Sequence, residues 1–502
     1  MPSLSDLKRE GLLAPQQRPW PRIIVDEVLW SGAATSVAER RMTLLALWGE
    51  AGAVHMALLE QATAEVAVIS LNCPSGRFPS VGAQHPPALR LERSLHDLFG
   101  LEPVGSPDSR PWLDHGQWGV TAPLGANTPS TPQPPYPFLP VDGAGLHQVA
   151  VGPVHAGIIE PGHFRFTASG ETVVRLEQRL GYVHKGIEGL MSGASLQQGV
   201  KLAGRVSGDS TVAYSYAFSL AAEAALELAV PPRAVWLRAL LAELERLANH
   251  LGDIGAICND AAFALMLAHC GVLRENVLRA AAIAFGHRLM RDLIVPGGVR
   301  RDLGADGRKA IEAALVSIRQ QLPALVELYD ETASLQDRTV GTGVVSAELV
   351  AQYGAGGFVG RGSGRAFDAR RQLCYPPYDQ LRFEVPVLTE GDVNARVWVR
   401  IREVEQSMAL IDQLLDNLPA GELLAPLPAI AADGEGIAVV EGFRGDILVW
   451  LRLAAGAIAR CHLRDPSWFQ WPLLEAAIEG NIVADFPLCN KSFNCSYSGP
   501  DL

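Results

Sequence analysis

The residues that could do chemistry fall in a few short stretches. Residues 204–210, GRVSGDS, set two serines three positions apart around an aspartate, between Ala/Leu-rich runs with helical spacing. Helix interiors disfavour glycine, serine and aspartate, so this polar break needs a reason other than helix propensity. Upstream, VGPVHAGIIEPGHFRF (151–166) places His155, Glu160 and His163 around a Gly/Pro loop. An imidazole and a carboxylate held close together can pass protons near neutral pH, although a surface loop with incidental histidines would carry the same letters. The spacing is not that of a zinc site. His184 and Glu188 in YVHKGIEGLM (182–191) are four apart, which reads as a pair on a helix surface.

Two further stretches are rich in charge. In ELERLANHLGDIGAICND (243–260), Arg246, Asn249, His250 and Asp253 recur at helical spacing opposite Leu244, Leu247, Leu251 and Ile254, the pattern of a solvated face. Asp260 stands just before a long apolar run, where a buried carboxyl would have a raised pKa unless paired. GRGSGRAFDARR (360–371), which contains Asp368, lacks the GK[ST] ending of a phosphate loop, and no apolar strand runs into its glycines. Tight turns account for them.

The elements that must position these residues form an α+β chain. Residues 1–120 mix strand-like alternation with helical runs; AVHMALLEQATAEVAVISLN (53–72) and LRLERSLHDLFGL (89–101) are examples. Eight of the twenty residues at 121–140 are proline or glycine, so a semi-rigid linker and a domain boundary are placed at 121–145. HFRFTASGETVVRLEQ (163–178) predicts a hairpin. Apolar spacing of three and four predicts helices within 214–229, 234–251, 307–335 and 398–418, with a glycine-rich irregular stretch at 350–395 and short strands after 437. The expected fold is a small N-terminal α/β domain (1–120) joined to a mainly helical bundle domain with small sheets (146–502). Such a bundle suits a site built between helices.

At 502 residues, 48% hydrophobic and 19% charged, the chain can fill more than one core. A net charge of −12 without a basic run argues against a nucleic-acid surface. MPSLSDLKREG has no apolar core, so no secretory signal is expected. AAFALMLAHCGVL (261–273) is too short for a membrane span and reads as a buried core helix. Seven cysteines without a CxxC pair suggest reduced, mostly buried thiols.

The order of these segments is more telling than any one of them. Residues 344–392, with RGSG and Asp368, then YDQ (378–380), VPV (385–387) and GD (391–392), resemble the quinone-pocket subunit of respiratory complex I and the large subunit of membrane-bound, energy-converting nickel–iron hydrogenases. DRTVGTGVVS (337–346), PGGVRRDL (296–303), ELERLANH (243–250) and YVHKGIE (182–188) fit in the same order, and ERSLHDLFGL (92–101) with PDSRPWL (107–113) resembles the small complex I subunit that docks beside it. Fusion of the two is the habit of formate-hydrogenlyase-type (group 4) large subunits.

The resemblance implies what GRVSGDS is for. In the hydrogenases this segment carries one CxxC pair and the C-terminus a second, and the four thiolates hold nickel and iron. Here the four positions fall on Ser207, Ser210, Ser496 and Gly499, with Cys495 one place off. Hard, protonated hydroxyls and a bare glycine cannot replace soft thiolates. The resemblance therefore implies no metal on this chain and no hydrogenase activity. The two positions that hold the quinone head in complex I fall on Ile159 and Gly208. The first loop histidine persists as His155, the aspartate that pairs with the quinone histidine as Asp260, and the hydrogenase proton donor as Glu160.

Proton transfer is thus expected from His155, Glu160, Asp209 and Asp260, in a cavity with Arg205, Ser207, Ser210, His163, Ser496 and Asp368. The implied assembly is a membrane-associated oxidoreductase on the cytoplasmic face of the inner membrane. Its partners would be a 4Fe–4S small subunit, antiporter-like membrane subunits and a formate-dehydrogenase-like or other electron-input subunit. The implied role is coupling of electron transfer or protonation to ion movement. Two alternatives stand beside it: a quinone-reducing, NADH-dehydrogenase-like subunit, and a catalytically silent scaffold.

Overall fold

The computed structural model describes residues 2–130, 134–155, 159–428 and 433–502. Near the N-terminus, Thr43–Glu50 and Ala53–Glu60 form a hairpin, Glu65–Asn72 pairs antiparallel with the latter, and Arg22–Val25 adds in parallel beside it. Helix Glu27–Ala38 starts at Asp26, whose side chain accepts the Leu29 N–H, and helix Leu89–Phe99 ends at left-handed Gly100 (φ 70°).

The charged letters of ERSLHDLFGL are pins for neighbouring turns. The Glu92 carboxylate accepts the N–H groups of Val81 (2.6 Å) and Gly82 (3.1 Å). Asp97 accepts those of Trp112 and Leu113, both at 2.7 Å, and Arg93 donates to the Arg110 and Pro111 carbonyls. Polar groups buried in a turn need such partners, which ties ERSLHDLFGL and PDSRPWL to each other.

The bundle contains an alanine-rich helix (Thr211–Leu226), a long helix (Pro232–Asp260), a flanking helix (Ala264–Phe285), Ala305–Glu331 and a central helix (Val393–Asp416). Pro232 opens the long helix where no N–H is required. A C-terminal sheet of Gly434–Gly442, Gly445–Ala454 and Ala457–Arg464 packs on the alanine-rich helix. The approach is so close that a β-carbon on Gly436 would lie 1.8 Å from the Ala221 carbonyl oxygen. These strands run to eight, nine and ten residues, longer than expected for the tail. The hairpin at 163–178 forms as His163–Ser169 and Thr172–Arg179.

The N-terminal segment shares its core with the rest of the chain. One buried cluster unites Leu7, Trp30 and Leu95 with Phe164, Phe358, Trp471 and Phe493. Gln17–Arg18 pairs in parallel with Glu435–Gly436, and Arg22 grips the buried Glu435 carboxylate at 2.7 and 2.9 Å. The proline-rich stretch is fastened too: Arg179 lies over the Tyr136 ring and Arg165 over Phe138.

The run 261–273 does not form a buried core helix. Met266, Cys270 and Leu273 make a narrow inward stripe, whereas Leu265, Leu267 and Val272 are exposed, because only one face of the flanking helix meets the bundle. Among the described residues no helix is long and apolar enough to cross a membrane.

Candidate functional site

Three segments converge on one cradle: Ser207 with the turn Gly208–Ser210 at the start of the alanine-rich helix, the C-terminal turn at 494–501, and the hairpin tip at 443–444. Ser207 Oγ donates to Asp209 Oδ1 at 2.7 Å, and Ser210 Oγ lies 3.4 Å from the same oxygen. Ser496 Oγ donates to Ser207 Oγ (3.3 Å), accepts the Gly499 N–H (2.9 Å) and sits 3.4 Å from Ser498 Oγ. Arg444 closes the group. Its Nη1 donates to Asp209 Oδ1 (2.8 Å) and Ser210 Oγ (3.2 Å), and its Nη2 pairs with Asp209 Oδ2. Burial alone would raise the Asp209 carboxyl, but Arg444 outweighs it and holds the group at about 2.

Behind the cradle runs a buried seam of charge. Asn494 Nδ2 donates to both Asp253 oxygens at 3.0 Å, and Arg400 reaches the same carboxylate at 3.2 Å. Glu403 shares a 2.6 Å hydrogen bond with His250 and accepts from Arg361 at 2.8 Å. Arg361 also pairs with Glu441 (2.8 Å) and Asp368 (3.5 Å). Arg370 then joins Asp368 to Glu243 at 2.7 and 2.9 Å.

The stretch 243–260 is therefore not a solvated face: Arg246 and His250 are at most 1% exposed. A facing polar stripe explains the difference. Ser407, Glu403 and Arg400 on the central helix stand at matching spacing and bind Glu243, His250 and Asp253. Buried charges persist where each has a partner. The signal was available in WVRIREVEQS (398–407), which carries the complementary charges.

At the mouth, exposed Glu160 accepts the Ser498 N–H at 3.2 Å. Asp501 and Lys185, whose charges interact with Glu160, were not anticipated. Buried Asp501 accepts the N–H groups of Gly181 (2.9 Å) and Val183 (3.1 Å), and burial raises its carboxyl to about 7, with the Glu160 charge adding to the effect. His184 shares a 2.6 Å hydrogen bond with the Asp501 carbonyl, and Lys185 Nζ donates to the Val206 carbonyl at 3.1 Å. Glu188 is not paired with His184 on a surface. It is buried against His462 and Arg460, both at 2.7 Å, because the segment docks under the C-terminal sheet.

The structure thus gathers Ser207, Asp209, Ser210 and Ser496, with Glu160 at the edge. Other expected residues stand apart. Arg205 turns outward to Asp292 (2.7 and 2.8 Å), and Asp368 belongs to the seam. His163 shares a bond with the Gly152 carbonyl and lies against Phe138 with the rings tilted at 51°. His155 packs against Phe164, 5.6 Å between ring centres. Asp260 ends the long helix half-buried, its carboxyl raised by burial against the pull of Lys491. Ile159 and Gly208 are exposed, and residues 156–158 of the loop lie outside the described part.

The donor set does not fit a thiolate-held metal pair. The cradle hydroxyls are spent on Asp209 and on one another, and an arginine occupies their shared side. A β-carbon on Gly499 would collide with Asp465, 2.4 Å from Cγ, and that carboxylate is itself fixed by the Tyr214 hydroxyl at 2.6 Å. Cys495 is turned toward Gln470, 4.0 Å away, and burial pushes its thiol up.

A helical bundle with this cradle, fused to a small α/β segment, defines a large subunit of the hydrogenase and complex I type. Residues 39–134 match the family of the 30 Kd subunit of respiratory-chain NADH dehydrogenase, and residues 260–433 match its 49 Kd subunit. The chain is 32% identical to formate hydrogenlyase subunit 5 of Escherichia coli (strain K12), over 86% of this chain and 78% of that one. It is 34% identical to the carbon monoxide-induced hydrogenase of Rhodospirillum rubrum (69% and 97%), and 29% identical to the fused C/D chain of the NADH-quinone oxidoreductase of Phocaeicola vulgatus (80% and 83%). The chain belongs to the family of formate-hydrogenlyase-type hydrogenase large subunits, related to fused complex I 30 Kd and 49 Kd subunits.

Proposed function

We propose that this chain is the large subunit of a membrane-associated, complex I-like redox complex that has lost the nickel–iron centre and couples electron transfer or protonation to ion movement. The observation that carries this reading is the Asp209–Arg444 ion pair, seated among serines at the positions where the resemblance implies metal ligands. A charged, hydroxyl-lined pocket of this kind handles protons and fields, not hydride on nickel. The relatives named hydrogenase and NADH-quinone oxidoreductase support the setting. In that setting a partner carries a 4Fe–4S cluster against the mouth at Glu160. Membrane subunits of the antiporter-like kind move the ion, and a formate-dehydrogenase-like or other electron-input subunit feeds electrons on the cytoplasmic face.

Glu160, His155, Asp209 and Asp260 are the proposed proton-handling groups. Segments 1–120 and 146–502 are the proposed units, with 121–145 between them. A quinone head would find the Ser207 and Ser496 hydroxyls already donated and the Asp209 carboxylate paired, so quinone reduction is the weaker reading. Purified complex, analysed for metal and reconstituted in vesicles, tests the proposal. Redox-driven ion movement without nickel is expected. Stoichiometric nickel with hydrogen evolution would overturn it, as would a complex with neither redox activity nor transport.

A further inference from the structure

Most acids around the cradle are neutralised by a cation: Asp209 by Arg444, Asp253 by Arg400, Glu403 and Glu441 by Arg361, Glu243 by Arg370. Glu245 differs. It lies on the long helix one turn before Asn249, whose Nδ2 donates to the Asp209 carbonyl at 2.8 Å, and is 7% exposed. Its carboxylate accepts only backbone groups, the Val212 N–H at 2.7 Å and the Ala213 N–H at 3.0 Å, at the start of the alanine-rich helix. Among the described residues it makes no ion pair.

A narrow cavity of ≈ 20 Å³ opens beside it between the long and flanking helices. Asp209, Glu245, Asn249, Arg274, Ala281 and Arg288 contribute to its lining. That is room for one water, and polar partners stand on its wall. Arg288, whose side chain is 53% exposed, is the lining residue that reaches solvent.

We infer that Glu245 is a proton-storing carboxyl of the cradle and that this cavity is its aqueous entrance, separate from the mouth at Glu160. The step is a proton transfer: an excess proton carried into the cavity on its water as hydronium breaks one hydronium O–H bond as an O–H bond forms on the carboxylate, leaving neutral water, and the reverse step returns it. The groups facing Glu245 set its affinity. Arg246 lies on its own helix, Asp209 on the turn, Arg444 behind Asp209, and Arg274 and Arg288 stand across the cavity. Burial pushes the Glu245 carboxyl up to about 8, past the opposing pull of its two N–H donors, and the Asp209 charge pushes the same way. Arg444 keeps Asp209 ionised while their pair is closed, so the resting proton resides on Glu245.

The inference refines the coupling reading, but its test is independent of transport. Infrared difference spectra of the purified full chain should show a protonated-carboxyl C=O band that titrates near about 8. Glu245→Gln should abolish it, and Glu245→Asp should retain a titrating band at a shifted midpoint. Ala281→Leu fills the cavity and should slow deuterium exchange of that band by roughly tenfold. Absence of the band, its persistence in Glu245→Gln, or unchanged exchange in a folded Ala281→Leu chain would overturn the inference. Because no vesicle is involved, failure here and failure of the coupling reading are distinguishable.

Discussion

Asp465 occupies the space that a side chain on Gly499 would need: a β-carbon at 499 would lie 2.4 Å from its Cγ and 2.5 Å from its Oδ2. Asp465 cannot easily move aside, since Tyr214 and the Ser467 N–H hold its two oxygens at 2.6 and 2.8 Å. Gly499→Cys should therefore destabilise the chain by about 1–3 kcal/mol, the usual range for overpacking. Adding Asp465→Gly should recover part of the loss in thermal melts. The quadruple variant S207C/S210C/S496C/G499C should bind no stoichiometric nickel, because Asp209 and Arg444 still fill the cradle. Metal analysis would expose an error.

Asp209→Ala strands the guanidinium of Arg444, whose side chain is only 5% exposed. A loss of about 1–3 kcal/mol is expected, moderated because the Asp209 side chain is itself one-third exposed. Arg444→Met in the same chain should return part of it. A double-mutant cycle in denaturant measures the coupling, and additive losses would mean that the pair is not what closes the cradle.

Glu403 bonds both His250 and Arg361 at the centre of the seam and is 1% exposed. Glu403→Ala should cost about 3–5 kcal/mol by leaving a cation buried and unpaired, whereas the exposed pair Arg308–Glu312 should contribute under ~0.5 kcal/mol. Equal effects in equilibrium unfolding would refute the distinction.

Acid should loosen the contact between the N-terminal sheet and the C-terminal sheet. His462 stacks on Trp48 (5.0 Å) and His55 lies beside Trp450 (5.5 Å); burial pushes both imidazoles below the usual 6.5. The unfolded chain then takes up protons that the folded chain refuses, so stability should fall as pH drops below about 6.5, by up to ~1.4 kcal/mol per pH unit per group. Glu50 and Glu188, both held at about 2, should deepen the fall below about 4.5. Asp501, raised to about 7, works in the opposite sense, losing its contribution as pH rises through that value. His462→Gln should flatten the slope between 6.5 and 4.5 in melts followed against pH.

Apolar spacing located the bundle helices and the 163–178 hairpin because periodicity is a local property of the chain. It misjudged the burial of 243–260 and 261–273 for one shared reason. Whether a polar or apolar stripe faces water depends on which helix lies opposite. The polar groups at 400, 403 and 407 on the central helix, and an uncovered flank beside Leu265 and Val272, decided those two cases in opposite directions. Similarly, Arg444 and Asp465 carry no motif. They sit more than 200 residues from Ser207 and reach the cradle only through the hairpin and turn that deliver them.

The amino-acid sequence alone determined the family, the element types and the serines and glycine at 207, 210, 496 and 499, because side-chain chemistry and spacing are written residue by residue. The tertiary structure decided what fills the space around them. Asp209 with Arg444, and Asp465 against Gly499, come together only when segments far apart in the chain pack, and close packing gives one volume to one occupant.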